Sequence, residues 1–288
     1  MTAKVLMVQG TSSGAGKSTL VIALCRIFAD MGYTVSPFKA QNMTSNFYTI
    51  CNTTKKLARI QAVQAFASRK EPDPRMNPIL LEPLGDYWSN VFVNGIYYAR
   101  MRANEYYKDF VLKEGLSSVL KNLDELRQEN DVILIEGAGS PAEINIAEYD
   151  IANMILAEKI SAPVILIADI ERGGCFASIV GTLGLLKPHH CELVKGIVIN
   201  KFRGDKLILD GAITTIERMT KKEVLGILPR IEFTLPNEDS LDETNVQSPE
   251  ISPESLDEQV NILASKVKEI IDIKNIVSRV VGLEQKWM

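Results

Sequence analysis

The stretch Gly10-Thr-Ser-Ser-Gly-Ala-Gly-Lys-Ser18 decides the fold of this chain. It follows the apolar run Val5–Gln9, which predicts a buried strand, and it leads into Ser18–Met31, where apolar residues recur at helical spacing. A glycine-rich turn between a strand and a helix is typical of a phosphate-binding loop. Backbone N–H groups of such a loop face phosphate oxygens, and the following helix directs the positive end of its dipole at the same anion. The stretch therefore predicts a site for a nucleoside triphosphate.

Two side chains of the loop carry the expected chemistry. We expect Lys17 to reach the β- and γ-phosphates and the Ser18 hydroxyl to ligate Mg²⁺. The match to the pattern G-x-x-x-x-G-K-S is imperfect, because Thr11 stands at the first glycine position and Gly10 directly precedes it. The strand-and-helix setting still favours a phosphate loop over a chance turn. The predicted nucleotide-binding residues of the loop are Ser13, Gly14, Ala15, Gly16, Lys17, Ser18 and Thr19.

Outward from the loop, short apolar runs alternate with helical patterns. Apolar runs predict strands at 34–38, 132–135, 164–168, 196–199 and 224–227. Further predicted elements are helices at 61–68 and 106–128 and a short strand at 90–93. Buried strands that alternate with helices indicate an α/β fold, a doubly wound and mostly parallel sheet of the P-loop NTPase type. Ligands of such sheets bind at the carboxyl ends of the strands.

Polar residues at those strand ends are the candidate catalytic groups. Glu136 ends an apolar strand, where we expect the second metal-facing acid, since Mg²⁺ prefers oxygen ligands; a helix-capping role is the alternative. Lys39 closes the second strand and could compensate the charge of a transferring phosphoryl group, unless it is a solvated surface lysine. Asn200 and Lys201 could read the nucleotide base. The predicted catalytic residues are Lys17, Lys39 and Glu136, and the predicted metal ligands are Ser18 and Glu136.

Composition excludes several other classes of protein. The 288 residues are 46% hydrophobic and 24% charged, as in ordinary globular proteins. The net charge of −4 argues weakly against nucleic acid as a partner. The amino terminus lacks the features of a signal peptide, and no apolar stretch is long enough for a membrane span. We therefore expect a cytoplasmic protein that does not contact a membrane.

The cysteines and histidines do not indicate a metal centre. Cys25, Cys51, Cys175 and Cys191 are scattered without a C-x-x-C pair, which favours reduced thiols over disulfides or zinc. His189 and His190 precede Cys191, but neighbouring residues in a loop rarely face one ion and no second ligand pair exists. A structural or surface role is the better interpretation of the two histidines.

Three segments are predicted along the chain. Residues 1–236 form the P-loop domain, and residues 237–253, rich in Asn, Glu, Asp, Ser and Pro, form an exposed linker. Ser252 and Pro253 are typical of a helix start. We expect 254–288 to be a C-terminal helix whose apolar face packs on the domain or on a partner.

One position of the loop separates it from related switch ATPases. Partition-type and nitrogenase-type ATPases carry a lysine two residues before the middle glycine, where this chain has Ser12. A dimer-switch ATPase is thus disfavoured.

The chain resembles the amino-terminal, dethiobiotin-synthetase-like domain of the cobyric acid synthase family over about residues 3 to 243. The motifs that carry the resemblance occur in the family's order. They are VQGTSSGAGKST, PFKAQNM, RIQAVQA, MNPILLEP, IEGAGSPAEIN, YDIANM, ADIERGG with FASIVGTL, INKFRGD, and LGILPRI with LPNEDS.

The resemblance implies an ATP-dependent carbon–nitrogen ligase of cobalamin biosynthesis. Members of the family amidate carboxylates of a corrinoid, from cobyrinic acid a,c-diamide to cobyric acid, with ATP, Mg²⁺ and ammonia drawn from glutamine. A carboxylate is a poor electrophile, so it is first phosphorylated to an acyl phosphate, which asks the protein for positioning and charge neutralisation. Related P-loop ligases often build sites across a dimer, which suggests a homodimer. The residues that the resemblance assigns to the acceptor side are Gln41, Asn42, Ser140, Asp150, Asn153, Asp169 and Arg172.

Two departures from the family pattern bear on activity. Members usually continue into a glutamine amidotransferase domain, whereas this chain ends after the helix from Glu254, which resembles a natural ending. We therefore expect free ammonia or a separate glutaminase subunit as the nitrogen source. Just before RIQAVQA, Lys56 stands where the family usually has a glutamate. If that glutamate helps to hold Mg²⁺, the lysine removes a ligand and adds repulsion.

Two alternatives to the ligase remain open. One is a nucleotide-binding subunit or regulator that keeps a partner but has lost turnover, which Lys56 and the missing domain favour. The other is a dethiobiotin-synthetase-type ligase, which PFKAQNM and SPAEIN disfavour.

Overall fold

The computed structural model describes residues 2–231 and 252–283. Its strands are β1 (Lys4–Gly10), β2 (Val35–Phe38), β3 (Gln41–Met43), β4 (Phe47–Thr49), β5 (Lys56–Ala58), β6 (Ile79–Gly85), β7 (Trp88–Val93), β8 (Ile96–Arg102), β9 (Val132–Glu136), β10 (Val164–Asp169), β11 (Val194–Phe202) and β12 (Glu223–Pro229). Its α-helices are α1 (Lys17–Asp30), α2 (Arg59–Ala67), α3 (Ala103–Glu105), α4 (Leu116–Glu129), α5 (Met154–Lys159), α6 (Cys175–Leu185), α7 (Pro188–Leu193), α8 (Asp210–Thr220), α9 (Pro253–Ile270) and α10 (Ile273–Asn275). Short 3-10 helices lie at Pro74–Met76 and Lys206–Leu209, and π-helices lie at Tyr106–Gly115 and Ile276–Val281.

The central sheet has the strand order β12-β11-β10-β1-β9-β2, and every neighbouring pair is parallel. This confirms the predicted doubly wound, mostly parallel sheet. β1 lies between β9 and β10, so the loop after β1 opens at the middle of the carboxyl edge. The residues that follow β2, β9, β10 and β11 reach the same edge, which is where ligands bind in sheets of this class.

Side chains alternate between two cores, one on each face of the sheet. Leu6 and Val8 face a core shared with α1, α2 and α9, whereas Val5 and Met7 face a core shared with α4 and α5. Strand residues buried on both faces explain the near-continuous apolar runs in the sequence. Full burial of one such side chain contributes about 1.5–3 kcal/mol.

A second sheet, with the order β3-β6-β7-β8, branches from the carboxyl edge of the first. β3 pairs in parallel with β6, and β6, β7 and β8 form an antiparallel meander. The strand predicted at 90–93 is the central strand of this meander, and its neighbours were not predicted. Asn94 and Gly95, with φ of 51° and 78°, turn β7 into β8. An Asn-Gly pair is the strongest short-range signal of a hairpin and could have predicted β8.

The helix predicted at 106–128 begins as a π-helix and becomes an α-helix only at Leu116. The wider π turn brings Phe110 over Gly115, five positions later. A Cβ at Gly115 would lie 3.2 Å from Phe110 Cε1. Close packing of a ring on a glycine therefore accompanies this change of helix type.

The C-terminal segment packs on α1 but is not one continuous helix. α9 begins after Ser252, whose side chain accepts a hydrogen bond from Ser255 N, and ends where Ile271 adopts extended backbone angles. Asp272 then accepts from Asn275 N at 3.0 Å and starts the next short helix. The apolar spacing alone did not predict this interruption. The predicted linker, up to residue 251, and the LPNEDS motif lie outside the described residues.

Among the described helices, none combines the length and the apolar character that a membrane crossing needs.

Candidate functional site

The backbone of the phosphate loop follows a path that requires glycine. Gly14 and Gly16 have φ of +68° and +104°, a region that L side chains rarely adopt. A Cβ at Gly16 would lie 2.0 Å from Asn200 Nδ2. Thr11 N donates to Ile167 O at 3.0 Å, which ties the start of the loop to β10. α1 then begins at Lys17, so its amino-terminal N–H groups face the loop.

Asn200 and Lys201, at the end of β11, hold the loop from the other side. Asn200 Nδ2 donates to Ala15 O at 2.9 Å. Lys201 Nζ donates to Gly14 O and to Asp169 Oδ2, both at 2.7 Å. These contacts give both residues a role in loop geometry, which sequence reasoning missed. A contact with the nucleotide base remains a prediction.

Lys17 bridges the phosphate loop and the loop after β9. Its Nζ donates to Ser12 O at 3.1 Å and to Gly139 O at 3.0 Å. Its side chain is buried. The ammonium thus lies between the two loops that border the carboxyl end of β1, where a phosphate chain would enter.

Glu136 is the centre of a buried polar cluster. Ser18 Oγ donates to Glu136 Oε1 at 2.9 Å, and Lys39 Nζ donates to the same oxygen at 2.8 Å. Glu136 is fully buried and Lys39 nearly so. The two predicted metal ligands, Ser18 and Glu136, are therefore adjacent, and Lys39 contacts the carboxylate of the pair. A hydroxyl and a carboxylate oxygen side by side are the oxygen donors that suit Mg²⁺.

A chain of buried amides leads from Glu136 towards the second sheet. Gln64 Nε2 donates to Glu136 Oε2, and Gln61 Nε2 approaches Gln64 Oε1 at 3.5 Å. Asn42 Nδ2 donates to Gln61 Oε1 at 2.9 Å. Sequence reasoning missed both glutamines, although two glutamines three positions apart in RIQAVQA were a signal for one polar helix face. The amides orient Glu136 from the side opposite Ser18 and Lys39.

Several acceptor-side candidates lie on the loop that follows β9. Asn153 Nδ2 donates to Ala138 O at 2.6 Å and to Asp150 Oδ2 at 2.9 Å. Burial raises the pKa of Asp150 to about 6, against the lowering effect of these hydrogen bonds. Ser140 Oγ accepts from Ala142 N at 3.3 Å. Asp150 and Asn153 thus act as one unit that holds the Ala138 carbonyl.

The remaining candidates are spread around this centre. Gln41 Oε1 accepts from the Tyr106 hydroxyl at 2.6 Å. Asp169 Oδ1 accepts from Glu171 N at 2.8 Å, and its other oxygen binds Lys201. Arg172 and Ser13 are exposed. The structure therefore groups most of the candidates at the carboxyl edge and leaves Arg172 and Ser13 in contact with solvent.

Lys56 lies against aromatic rings of the strands β4 and β7. Its Nζ is 4.7 Å from the centroid of Phe47 and 5.0 Å from that of Phe92. A cation over two ring faces is attracted by their quadrupoles. This arrangement gives the lysine at the family's glutamate position a packing role.

The cysteines are free thiols, as expected. Burial raises the pKa of Cys25 to about 12 and that of Cys175 to about 11, so neither is a reactive nucleophile. The two histidines lie on the helix α7 and not in a loop, and both face Glu158. His189 Nε2 is 3.4 Å from Glu158 Oε1, and His190 Nε2 is 3.2 Å from Glu158 Oε2.

A strand, a glycine-rich loop and a helix, with a loop lysine and serine beside a buried acid on the neighbouring strand, define a P-loop nucleotide-binding domain. The chain belongs to the family described as the CobQ/CobB/MinD/ParA nucleotide binding domain, which matches residues 6–240.

Curated relatives are similar to this chain over most of its length. It is 51% identical over 242 residues to the probable cobyric acid synthase of Thermococcus kodakarensis, with 83% of this chain and 49% of that protein covered. It is 48% identical over 237 residues to the cobyric acid synthase of Acaryochloris marina, with 82% and 47% covered. The resemblance inferred from the motifs is thus confirmed, and the chain spans about half the length of the curated relatives it matches.

Among solved structures, the chain is similar to the signal recognition particle receptor FtsY of Elizabethkingia anophelis. The TM-score is 0.47 at 15% identity, with 79% of this chain and 57% of that chain covered.

Proposed function

We propose that this chain is an ATP-dependent carbon–nitrogen ligase that amidates corrinoid side-chain carboxylates, converting cobyrinic acid a,c-diamide to cobyric acid. One observation carries the proposal: Ser18 and Lys39 both contact Glu136 Oε1 beside the phosphate loop. The acceptor is proposed from the name cobyric acid synthase, which is borne by relatives that are 48% and 51% identical to this chain over the aligned residues.

The chemistry needs two steps at one place. A carboxylate oxygen of the acceptor attacks the γ-phosphorus, ADP leaves, and an acyl phosphate forms. Ammonia then attacks the acyl carbon, and inorganic phosphate leaves with the bond electrons. Lys17 and Lys39 would lie on either side of the γ-phosphoryl group during its transfer. Charge neutralisation by fixed cations is the main contribution of a protein to phosphoryl transfer.

Ser18 and Glu136 would hold Mg²⁺, which when bound neutralises charge on the β- and γ-phosphates. The buried amides of Gln64, Gln61 and Asn42 keep Glu136 in place from behind. A preorganised carboxylate needs no rearrangement when the phosphates arrive, which is what makes fixed dipoles effective in catalysis.

The nucleotide base would enter a cleft of about 160 Å³ beside Gly16. Leu20, Asn200 and Lys201 line it, and α9 contributes Leu263 and Val267. Apolar walls with a few polar groups are typical of base pockets. The C-terminal helix is therefore part of the proposed nucleotide site.

The acceptor would lie on the side of Gln41, Asn42, Ser140, Asp150, Asn153, Asp169 and Arg172. Ammonia would come from solution or from a separate glutaminase subunit. We place the protein in the cytoplasm, where ATP and Mg²⁺ are available, and propose a homodimer by resemblance to P-loop ligases.

The test is amide formation in a defined mixture. Purified protein is incubated with Mg-ATP, ammonium chloride and cobyrinic acid a,c-diamide, and mass spectrometry follows the acceptor while ADP is quantified. We expect acceptor-dependent ADP release and a mass change for each carboxylate converted to amide. If the protein binds ATP but releases no ADP in response to the acceptor, with or without an added glutaminase, the result would instead support a nucleotide-binding subunit or regulator. Stimulation only by diaminopelargonate and CO₂ would support the dethiobiotin-type ligase.

A further inference from the structure

Two buried amide oxygens near the loop after β9 lack a hydrogen-bond partner within residues 2–231 and 252–283. They are Gln9 Oε1 and Asn153 Oδ1. Gln9 is 0% exposed and Asn153 is 1% exposed. A buried acceptor without a donor costs free energy, so such groups call for a ligand or a functional reason.

The two side chains converge on Gly137. A Cβ at this glycine would lie 2.2 Å from Asn153 Oδ1 and 3.1 Å from Gln9 Cγ. The orientation of the Asn153 amide is fixed, because its Nδ2 donates to Ala138 O and Asp150 Oδ2. A flipped amide would set its oxygen against these two acceptors. Asn153 Oδ1 therefore points towards the Gly137 backbone, beside Gln9.

A carboxylate completes the group. Asp150 is half-buried and adjoins Asn153. The pKa of Asp150 is raised to about 6, mainly by burial and to a lesser extent by nearby Glu143, while hydrogen bonds from Asn153 and from backbone amides act in the opposite direction. Burial and, after it, the charge of Asp150 raise the pKa of Tyr107. At neutral pH the carboxyl is mostly ionised. The amide donors of the group are already used, since Gln9 Nε2 donates to Met7 Sδ and Asn153 Nδ2 donates to Ala138 O and Asp150 Oδ2. The groups with capacity left are therefore the two amide oxygens and the carboxylate.

We propose that Gln9, Asn153 and Asp150 form an ammonium subsite of the amidation centre. Ammonium carries only donors, which suits amide oxygens and a carboxylate that have acceptor capacity left. Gly139 O, on the same loop, accepts from Lys17 Nζ at 3.0 Å, so the subsite adjoins the phosphate end of the nucleotide site. The inference deepens the proposed ligase function and rests on it.

The proton balance assigns one step to Asp150. Its carboxylate accepts a proton from ammonium, and the nitrogen lone pair of the resulting ammonia attacks the acyl carbon. The bond from that carbon to the phosphate oxygen breaks, and phosphate leaves with the electron pair. The nitrogen gives one further proton to the departing phosphate, and Asp150 returns its proton to solvent. A raised pKa of Asp150 suits this role, because it reduces the difference between the pKa of the carboxyl and that of ammonium.

The first test compares a charged with a neutral nucleophile. Ammonium must lose a proton before attack, whereas hydroxylamine is largely neutral near pH 7. We expect Asp150→Asn to lower ammonium-dependent kcat/KM by about 100-fold and hydroxylamine-dependent kcat/KM by less than about threefold. Gln9→Leu should raise the KM for ammonium about tenfold with little change in kcat. Asp109→Asn and Gln128→Leu, at exposed positions, are the matched controls.

The pH profile supplies a second readout of the same variants. Ammonium-dependent kcat/KM should fall below about pH 6 in the unsubstituted protein, because Asp150, with its pKa of about 6, is then protonated. This fall of kcat/KM at acidic pH should be absent in Asp150→Asn. The subsite is overturned if Asp150→Asn lowers kcat/KM equally for ammonium and hydroxylamine. It is also overturned if the KM for ammonium is unchanged in both Asp150→Asn and Gln9→Leu.

A binding experiment is independent of turnover. Thallous ion has nearly the size of ammonium and scatters anomalously. Crystals of the full chain soaked in thallous acetate should show an anomalous peak at coordination distance from Gln9 Oε1 and Asn153 Oδ1, which should be absent in Gln9→Leu. A water molecule or no peak at this place contradicts the subsite. If the unsubstituted protein forms no amide but the peak appears, the ligase proposal fails and the cation subsite stands.

Discussion

Lys39 and Glu136 form a buried ion pair at the carboxyl ends of two neighbouring strands, with Lys39 Nζ 2.8 Å from Glu136 Oε1. The register of β2 and β9 pairs Phe38 with Ile135, so the next residue of each strand is brought to the same level of the sheet edge. Desolvation makes such a pair a poor source of stability. We infer that the pair is kept for the charge it presents to the phosphate site.

Replacing Glu136 by glutamine should remove activity with little change in fold. Glutamine has the same shape but no charge, so it binds Mg²⁺ weakly and no longer balances Lys39. We expect acceptor-dependent ADP release to fall about 100- to 1000-fold. Steady-state kinetics of Glu136→Gln measure this, with Glu269→Gln, at an exposed position of α9, as the control. Activity within a few-fold of the unsubstituted protein would remove Glu136 from the mechanism.

Alanine at Gly16 should damage nucleotide binding more than alanine at Gly14. Both glycines have positive φ, which costs an alanine about 1–2 kcal/mol, but only the Gly16 Cβ meets Asn200 Nδ2, at 2.0 Å. We expect Gly16→Ala to weaken ATP binding about tenfold or more beyond Gly14→Ala in titration calorimetry. Gly32→Ala, with φ of +82° and open space, should lower stability without changing affinity. Equal affinities for all three variants would contradict this account.

Loss of Asp257 should loosen the contact between α9 and α1. Arg26, which is 1% exposed, donates to Asp257 Oδ1 at 2.6 Å and to Asn261 Oδ1 at 2.7 Å. Asp257→Ala leaves the buried guanidinium one acceptor short, so we expect a loss of about 1–3 kcal/mol in the free energy of unfolding. Urea denaturation measures this loss, and Glu258→Ala, on the exposed side of α9, is the control.

The same variant has a defined pH dependence. The hydrogen bond from Arg26 lowers the pKa of Asp257. A depressed folded-state pKa stabilises the protein above the unfolded value of about 3.9, and this contribution is lost as the pH falls below it. The difference in stability between Asp257→Ala and the unsubstituted protein should therefore shrink from pH 7 towards pH 3. A difference that is constant with pH would show that the Asp257 charge is not involved.

Restoring the family's glutamate at Lys56 should not improve this protein. A carboxylate at that position would face the negative ring faces of Phe47 and Phe92. In the present structure Lys56 Nζ lies 4.7 and 5.0 Å from the centroids of these rings. We expect Lys56→Glu to lower the free energy of unfolding by about 0.5–2 kcal/mol. Lys56→Met keeps an aliphatic contact with the rings and should retain ligase activity. A large gain in kcat for Lys56→Glu would instead place this position in the metal site.

Local patterns predicted the sheet and the phosphate loop because each signal lies within one short stretch. Gly10–Ser18 carries its own strand, turn and helix signals, and Lys39 and Glu136 each end an apolar strand. Parallel strands bring their carboxyl ends together, so these two residues could be expected at one edge without knowledge of any contact.

Features that depend on packing between distant elements could not be predicted. Gln61 and Gln64 are typical of a solvated helix face until α2 packs against α1 and β2, which buries both side chains. His189 and His190 face one carboxylate only because α5 and α7 are neighbours. The helix breaks at Ile271, although the apolar spacing of the sequence continues past this residue. Gln9 could have been noticed in the sequence as a polar residue that ends an apolar run. That its Oε1 is buried without a hydrogen-bond donor, close to Asn153 and Gly137, depends on the packing of distant elements.

The central claim is that the γ-phosphoryl group is transferred to an acceptor carboxylate at the site of Lys17, Lys39 and Glu136. Its most direct test uses cobyrinic acid a,c-diamide labelled with oxygen-18 in its carboxylates, together with Mg-ATP and ammonium chloride. If an acyl phosphate forms, one labelled oxygen appears in inorganic phosphate for each amide made, as read by mass spectrometry. Amide formation with unlabelled phosphate, or ATP cleavage without any amide, would contradict the claim.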